Sequence, residues 1–487
     1  MSDMTERPRI LVTIANYGNK NDIYLSQLIQ EYESMSFDVD LVVLSNIPKQ
    51  LPSEVEVIVG LPNRNPWSLP FAHKQVFADR RNNYDLFIYS EDDILITENN
   101  LRAFLRVSTE LHENEIAGFF RIEKDESGLI NFPDVLSVFH WDGNSVRKRG
   151  DYILAHFTNE HAGCYVLSKD QLAAALTSGA FLVEPHEGKY DLACSAATDP
   201  YTQCGFIKLI PISHFDQFTV RHLSNRYIGF SIEDIGNFGV DETELQQQID
   251  ALLEINASNL RPNSLFETDL VNSEGVYSKN FYEPINKDVL SVTPKLLNNI
   301  LSIGCGAGAT EISLLRAGSR VVAIPLDSIV SRKAATQGVL LAYGDFIKAR
   351  AQLATERFDC LLCMNVLQLT RDPIQVLTSF SELLLSGSIV IIQSRNMASL
   401  QAIWSRRLRR KHVKNQDNYE VSGMRFASIW SVTHWCRSAG LFVEKIIWTF
   451  PRRIEKIARF APRFVKPFLA SGFVILATKQ ASIYSAQ

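Results

Sequence analysis

The sequence predicts an α/β protein with two domains, because apolar strand segments alternate with amphipathic helical segments in two separate regions. The first region runs from Arg9 to about Tyr227, and the second begins near residue 275. Such alternation is typical of mostly parallel sheets that helices cover on both faces. We therefore expect a mostly parallel sheet in the N-terminal half and a seven-stranded sheet in the C-terminal half.

Size and composition are those of an ordinary globular protein with two or three domains. The 487 residues are 46% hydrophobic and 21% charged, and the formal net charge is -5. This charge argues against a nucleic-acid partner held by bulk electrostatics. No apolar stretch approaches the roughly 20 residues that cross a bilayer, and Ile10–Ala15 is too short for a signal peptide. The expected location is the cytoplasm.

The first region contains seven strand segments, and helical patterns such as Ile23–Tyr32, Phe71–Arg80 and Leu101–Leu111 separate several of them. The predicted strands are Ile10–Ala15, Val39–Leu44, Val55–Val59, Leu86–Tyr89, Gly118–Ile122, Cys164–Leu167 and Phe206–Ile210. A polar amphipathic helix follows at Asp241–Leu253, and Asn256–Glu274 lacks periodicity. We therefore assign residues 1–240 to the first domain, 241–274 to a helix and linker, and 275–487 to the second domain.

The second region also contains seven strand segments in βα alternation. The predicted strands are Ile300–Gly304, Val321–Ile324, Val339–Tyr343, Asp359–Met364, Ser388–Ile392, Phe442–Trp448 and Phe473–Ala477. The first of them runs into the glycine-rich turn Gly304-Cys-Gly-Ala-Gly308, and the helix Thr310–Ala317 follows at once. Glycines let the backbone approach a nucleotide, and a helix N-terminus offers free N–H groups. The pattern predicts a nucleotide site; the alternative is a tight packing turn.

This half resembles the class I S-adenosylmethionine-dependent methyltransferases over about 200 residues, and a Rossmann-like sheet is therefore expected. The resemblance is carried by the glycine turn, by Tyr343-Gly-Asp-Phe346 and by Phe358-Asp-Cys-Leu-Leu-Cys-Met-Asn-Val-Leu367, with Phe281–Leu290 as a lead-in helix. It implies S-adenosylmethionine as the cofactor. The residues that it implies as cofactor contacts are Gly304, Gly306, Gly308, Asp327, Asp345 and Asn365.

The chain departs from this family at three positions. Ser302 stands where the family has an acidic residue on the first strand, and Pro325 stands at the usual ribose-binding acid, which Asp327 could replace. Gln368-Leu369 replaces the common Glu-His after the fourth strand, so that no general base is visible. A catalytically inactive scaffold domain is therefore the alternative to an active methyltransferase.

The N-terminal half is marked by Asp85-Leu-Phe-Ile-Tyr-Ser-Glu-Asp-Asp-Ile94, in which a strand delivers three consecutive carboxylates to its carboxyl end. Mg²⁺ or Mn²⁺ takes one or two carboxylates together with phosphate oxygens, and such an ion stabilises a departing nucleotide diphosphate. The pattern predicts a cation site at Glu91, Asp92 and Asp93. The alternative is a solvated acidic loop before a helix.

This half resembles the GT-A glycosyltransferases, whose acidic motif ends a central strand. Ile10–Gly18 is similar to their opening strand, and Ser68–Lys74 is similar to the stretch before the acidic motif. The resemblance implies a Rossmann-like mixed sheet and a nucleotide-sugar donor. The implied donor contacts are Ala15, Tyr17, Lys74, Arg80, Glu91 and Asp92.

The same resemblance implies a divalent metal, Mn²⁺ or Mg²⁺, held by Asp92, Asp93 and a late histidine. His222 is the candidate, and His214 competes with it. An inverting enzyme also needs a carboxylate to deprotonate the acceptor hydroxyl. The polar stretch 186–201 offers three, and the sequence does not choose among them: Glu187, Asp191 and Asp199.

Two segments of the second half combine cationic and aromatic residues, namely Trp404–Lys414 and Arg452–Phe468. Such segments either lie on anionic membrane surfaces or form solvated helices over an active site. Membrane contact at the inner face would suit an enzyme that acts on a lipid-linked glycan.

Taken together, these patterns predict a bifunctional transferase. The first domain would transfer a sugar from a nucleotide-sugar donor to a glycan or lipid-linked glycan acceptor, and the second would methylate a sugar hydroxyl. One alternative is a glycosyltransferase with a scaffold second domain. Another is a glycan- or nucleotide-binding protein without catalysis.

Overall fold

The computed structural model describes residues 7–136, 138–228, 231–232, 236–237, 239–258, 262–268, 270, 279–408 and 419–479. The chain divides into two compact units. The first comprises Met1–Ser231 and Phe238–Leu260, and the second comprises Ile232–Asn237 and Arg261–Gln487. Both units mix strands and helices, which confirms the α/β class.

Residues 9–258 form sixteen strands and six α-helices within the described part of the chain. The strands are β1 (Arg9–Asn16), β2 (Asp38–Ser45), β3 (Val55–Val59), β4 (Leu86–Glu91), β5 (Ile94–Leu95), β6 (Glu115–Ala117), β7 (Phe120–Lys124), β8 (Ile130–Phe132), β9 (Trp141–Arg149), β10 (Tyr152–Phe157), β11 (Cys164–Ser168), β12 (Ile207–Pro211), β13 (Thr219–His222), β14 (Ser231–Ile232), β15 (Gly236–Asn237) and β16 (Val240–Asp241). The α-helices are α1 (Asp22–Ser34), α2 (Ala72–Arg80), α3 (Glu98–Ser108), α4 (Lys169–Thr177), α5 (Leu192–Thr202) and α6 (Glu242–Ser258).

The central sheet of the first unit has the order β11-β4-β1-β2-β3, in which only β11 is antiparallel. β1 is an almost continuous apolar run because it is buried on both faces. The strand order reverses between β1 and β4, and ligands of open α/β sheets bind at the carboxyl ends of strands beside such a reversal. Asn16 and Glu91 end these two strands.

The single mixed sheet expected here is only part of the first unit. Two further sheets have the orders β6-β12-β10-β9 and β16-β8-β7-β13-β5. The hairpin β9–β10 was not predicted, because β9 reads Trp-Asp-Gly-Asn-Ser-Val-Arg-Lys-Arg and is mostly polar. Its buried residues alternate with exposed or half-buried ones, and sheet pairing outweighs its weak apolar signal.

Helix α6 packs on the first unit. It contacts β8, β9 and β10, and it buries Leu245, Ile249 and Leu252. The helix that the sequence places in the linker therefore belongs to the first compact unit, which ends at Leu260. Much of the remaining linker, including residues 271–278, lies outside the described residues.

Residues 265–479 form seven strands and eleven α-helices within the described part of the chain. The strands are β17 (Asn299–Cys305), β18 (Arg320–Pro325), β19 (Leu340–Leu341), β20 (Phe358–Met364), β21 (Leu384–Arg395), β22 (Leu441–Thr449) and β23 (Gly472–Lys479). The helices are α7 (Leu265–Thr268), α8 (Lys287–Val292), α9 (Ala309–Arg316), α10 (Arg332–Thr336), α11 (Phe346–Gln352), α12 (Pro373–Ser381), α13 (Leu400–Leu408), α14 (Tyr419–Ser422), α15 (Ile429–Ser438), α16 (Arg452–Ala458) and α17 (Lys466–Leu469).

These seven strands form one sheet with the order β19-β18-β17-β20-β21-β23-β22. β23 is antiparallel to both neighbours, and the other strands run in one direction. All seven strands predicted for this region are present, although Val339–Tyr343 is reduced to β19. The order reverses between β17 and β20, so the carboxyl ends of these two strands define the expected ligand crevice.

Candidate functional site

The glycine turn of the second unit lies at the end of β17, and α9 begins immediately after it. Gly304 and Gly308 have φ angles of +84° and +81°, which favour glycine. A Cβ on Gly306 would lie 2.3 Å from the carbonyl oxygen of Phe281. That carbonyl also accepts a hydrogen bond from the N–H of Ala307, at 2.7 Å. The turn therefore needs glycine both for its conformation and for its contact with the preceding segment.

A chain of polar side chains links this turn to the end of β20. The Lys279 ammonium donates to the carbonyl oxygen of Gly304 and lies 3.9 Å from the Glu283 carboxylate. Glu283 accepts a hydrogen bond from Asn365 Nδ2 at 2.7 Å. Asn365 is buried with a φ of +50°, and its Oδ1 has no hydrogen-bond partner among the described residues. A strained residue with a buried, unpaired acceptor is typical of a ligand site.

Glu311 places a carboxylate beneath the glycine turn. It is 1% exposed, and its Oε1 accepts a hydrogen bond from Ser302 Oγ at 2.7 Å. No cationic side chain among the described residues lies within ion-pair distance of it. Ser302 occupies the position where the resembled family carries its first-strand acid, and α9 places a carboxyl group against this serine.

The carboxylates of Asp327 and Asp345 each accept hydrogen bonds from backbone N–H groups. Asp327 follows β18 and accepts from the N–H groups of Ile329 and Val330, at 2.9 and 2.6 Å. Asp345 caps α11 by accepting from the N–H of Lys348 at 2.7 Å. These contacts shape the turns after β18 and β19, and a cofactor contact of either residue stays a prediction.

In the first unit, Asp92 faces the end of β1. It accepts hydrogen bonds from Asn16 Nδ2 at 2.9 Å and from Asn21 Nδ2 at 2.7 Å. Burial raises the pKa of Asp92 to about 6, although the Asn21 hydrogen bond favours the ionised form. The Oδ1 of Asn16 is buried and has no hydrogen-bond partner among the described residues. Asn16 thus presents an open acceptor at the end of β1.

Asp93 faces β13 instead. Its Oδ2 lies 3.1 Å from His222 Nε2, and His222 Nδ1 lies 2.6 Å from Glu123 Oε1. Burial opposes a charge on His222, but the hydrogen bonds to the two carboxylates prevail and raise its pKa to about 9. Against the opposing effect of burial, His222 lowers the pKa of Asp93. At neutral pH, Asp93 and His222 therefore form an ion pair, and Glu123 accepts a hydrogen bond from the other ring nitrogen of His222.

The three predicted metal ligands do not converge. Asp92 and Asp93 point to different strands because a turn separates them from β4, and only Asp93 reaches His222. Across the described residues, no group of three or more histidine, cysteine, aspartate or glutamate side chains is arranged to hold a metal. The competing candidate, His214, contacts Ser213 and the ring of Tyr152.

Glu91 lies at the end of β4 beside a buried histidine. Its Oε1 is 3.8 Å from His161 Nε2, which is 3.6 Å from the Cys194 thiol. Burial and the charge of Asp93 raise the pKa of Glu91 to about 7. Burial also keeps His161 neutral by lowering its pKa well below the usual value. Sequence reasoning missed His161, because a lone histidine in a loop carries no local signal.

Lys74 and Asp199 are paired with each other. Both are buried, the ammonium contacts the carboxylate, and His186 Nε2 lies 3.1 Å from the same carboxylate. The sequence suggested that Lys74 contacts a donor diphosphate and that Asp199 contacts an acceptor hydroxyl. In the structure, both side chains are buried against each other instead. Arg80 pairs with Glu56 at 2.7 Å, away from the end of β4.

The remaining predicted residues are distributed around the end of the central sheet and before α5. Ala15 is buried and lies opposite Glu91 on the neighbouring strand, and Tyr17 is half exposed. Asp191 is exposed and caps α5 by accepting from the N–H of Cys194 at 2.9 Å. Glu187 is exposed on the segment before α5.

Comparison with known proteins assigns the second half. Residues 244–446 match a family model described as a methyltransferase domain. A ubiquinone biosynthesis O-methyltransferase of Cereibacter sphaeroides is 32% identical over 115 residues, which cover 23% of this chain and 47% of the relative. Its counterpart from Actinobacillus pleuropneumoniae is 30% identical over 108 residues, covering 20% of this chain and 45% of the relative. The chain thus spans about half the length of these curated relatives.

Among solved structures, an S-adenosylmethionine-dependent methyltransferase from Mesorhizobium loti aligns with 39% of this chain and 95% of its own length. The identity is 14% and the TM-score is 0.29. The C-terminal half of the chain contains a methyltransferase domain.

Proposed function

We propose that the second unit binds S-adenosylmethionine at the glycine turn and transfers its methyl group to an acceptor hydroxyl, with a sugar hydroxyl as the favoured class. The observation that carries the proposal is the buried Oδ1 of Asn365, which no described residue hydrogen-bonds, beside the turn Gly304–Gly308 and at the reversal between β17 and β20. When bound, the cofactor supplies an electrophilic methyl group on a positively charged sulfur. The family match over residues 244–446 supports the same reading.

The residues of this site fit such a cofactor. The glycine turn allows close approach of a ligand to the backbone, and the first turn of α9 offers N–H groups. Asn365 Oδ1 can accept a hydrogen bond, and Glu311 supplies a buried negative charge to a cationic ligand. Gln368 donates to the carbonyl oxygen of Asn365 at 2.9 Å, and Leu369 is buried. Neither can act as a base, which keeps a cofactor-binding scaffold as the second candidate.

Replacing Glu311 with glutamine tests the charge of the site. Glutamine retains an oxygen that accepts from Ser302 but removes the negative charge. We expect about tenfold weaker binding of S-adenosylmethionine, measured by calorimetry, which corresponds to about 1.4 kcal/mol. Glu382→Gln, at a largely exposed carboxylate, is the control and should bind as the native chain does. Unchanged affinity in Glu311→Gln would refute the assigned role.

For the first unit we propose transfer of a sugar from a nucleotide-sugar donor to a glycan or lipid-linked glycan acceptor. The supporting observation is the second strand-order reversal, between β1 and β4, with Asn16, Asp92 and the Asp93–His222 pair beside it. Asn16 Oδ1 would accept an N–H from the donor, and the residues after β4 would position its polar groups. Joining both activities in one chain would raise the local concentration of a shared acceptor.

The described part of the first unit contains no group of three side chains arranged to hold a divalent cation, and we derive no catalytic step that involves such a cation. The structure also does not select one carboxylate as the base that deprotonates the acceptor hydroxyl. Asp191 and Glu187 remain exposed carboxylates before α5, whereas Asp199 is held by Lys74. Donor turnover with Mg²⁺, with Mn²⁺ and with a chelator would establish whether a metal takes part.

Replacing Asp93 with asparagine tests the sugar-transfer proposal. Asparagine keeps the size of the side chain and removes the charge that pairs with His222. We expect at least about a 100-fold loss of donor-dependent nucleotide release, because charged groups in such sites stabilise the transition state. Asp79→Asn, an exposed position on α2, should behave as the native chain.

Asp93→Asn and Asp79→Asn should both bind S-adenosylmethionine with the affinity of the native chain. Nucleotide release at the native rate in Asp93→Asn would contradict the proposal. If the native chain binds glycans but releases no nucleotide from any donor, the first unit is a binding module rather than an enzyme.

A further inference from the structure

A strongly cationic segment lies between β22 and β23 of the second unit. It spans residues 452–468 and contains six cationic side chains but one carboxylate, Glu455. Arg459 donates to the Glu455 carboxylate at 2.5 Å, and all the cationic side chains except the half-buried Lys466 are exposed. The cationic residues are Arg452, Arg453, Lys456, Arg459, Arg463 and Lys466.

The same segment exposes large apolar side chains. Ile457, Phe460 and Phe464 are 80%, 90% and 77% exposed. Ile457 lies on α16, and Phe460 and Phe464 lie in the connection between α16 and α17. Phe468 is also exposed, and its ring lies 5.8 Å from the exposed ring of Trp430. Grouped apolar side chains with a cationic surround are typical of interaction surfaces rather than of scattered surface residues.

The segment is held in place by the fold. Ala458 and Pro467 are buried, and Asn396 Nδ2 donates to the carbonyl oxygens of Pro467 and Ala470, at 2.5 and 2.9 Å. Asn396 directly follows β21. The exposed rings therefore belong to a surface that is already formed.

The position of the segment is also defined. β22 and β21 run in the same direction, because each is antiparallel to β23. Thr449, at the end of β22, therefore lies at the same edge of the sheet as the ends of β17 and β20. The cationic segment is at the edge that holds Gly304 and Asn365.

We propose that residues 452–468 dock on a lipid surface bearing anionic headgroups. The cationic side chains match the headgroup charge, and Ile457, Phe460 and Phe464 enter the boundary between headgroups and acyl chains. A nucleic acid would satisfy the charge, but it offers stacking to flat bases rather than an apolar layer for an isoleucine together with several phenyl rings. Docking would turn the carboxyl edge of the sheet toward the lipid. The proposal does not depend on which reaction the chain performs.

Vesicle sedimentation of the full chain tests this surface. The probes are vesicles of equal parts phosphatidylglycerol and phosphatidylcholine, and vesicles of phosphatidylcholine alone. We expect binding to the anionic vesicles that weakens as salt is raised, and at least about tenfold weaker binding to the neutral ones. Phe460→Ser with Phe464→Ser should reduce binding to anionic vesicles at least about tenfold, as should Arg459→Glu with Arg463→Glu.

The matched control is Leu296→Ser with Ile347→Ser, two exposed apolar residues elsewhere in the same unit. It should bind anionic vesicles as the native chain does, and circular dichroism should show that all variants are folded. Equal binding to both kinds of vesicle, or equal losses in the control and in the phenylalanine variant, would overturn the proposal. The proposal would also be overturned if the native chain did not bind vesicles but bound a single-stranded oligonucleotide, and if that binding were lost in the phenylalanine variant.

Discussion

Replacing Lys74 with methionine is expected to destabilise the first unit by about 3–5 kcal/mol, because it leaves the buried carboxylate of Asp199 without its cation. His186, which is more exposed than Lys74, and the Thr202 hydroxyl also contact this carboxylate, but neither is a permanent cation. Hydrogen exchange in peptides of the first unit, followed in increasing urea, measures the change without requiring that the whole chain unfold in one step.

A second variant separates the loss of the ion pair from a loss of packing. Lys74→Met combined with Asp199→Leu removes both charges and should recover most of the stability. If the first unit of Lys74→Met unfolds at the same urea concentration as that of the native chain, the two residues are not a buried pair. Lys74 would then be free to contact a donor diphosphate, as the sequence pattern first suggested.

Replacing Gly306 with alanine is expected to weaken binding of S-adenosylmethionine at least about 100-fold. The added Cβ would lie 2.3 Å from the carbonyl oxygen of Phe281, a backbone atom that cannot rotate away. The hydrogen bond from the N–H of Ala307 to that oxygen would break, and the glycine turn would shift away from any ligand. A shift of about 1 Å at such a site is enough for a large loss of function.

Gly318→Ala is the control for this prediction. Gly318 follows α9, and an added Cβ there meets nothing within 4 Å. This variant should bind the cofactor as the native chain does, although the φ of +103° at this position strains an alanine and lowers the stability of the variant. Native affinity in Gly306→Ala, measured by calorimetry, would show that the cofactor does not depend on this turn.

The parts of the fold that the sequence could predict are those with a strong local signal. Most strands of the second unit are apolar runs, and the glycine turn joins one of them directly to a helix. β9 is different, because its mostly polar residues become a strand only by pairing with β10. The same holds for α6, whose amphipathic pattern shows a helix but not the sheet that it covers.

The candidate sites were harder to predict, because their contacts join residues far apart in the chain. Lys74 and Asp199 are 125 residues apart, and each separately resembles a ligand-binding residue. The sequence shows that Ser302 replaces an acid, but it does not show that Glu311 returns a carboxylate to the same place. The sequence suggested Asp93 and His222 as ligands of one metal, whereas in the structure they contact each other directly, and the turn after β4 places Asp92 against Asn16.

The central claim is that S-adenosylmethionine binds at the glycine turn of the second unit. Hydrogen exchange of the full chain with and without the cofactor tests it most directly. We predict slower exchange in peptides that cover residues 299–312 and 358–368, with no change in peptides that cover residues 9–93. Unchanged exchange around the turn at saturating cofactor, or protection confined to the first unit, would contradict the account.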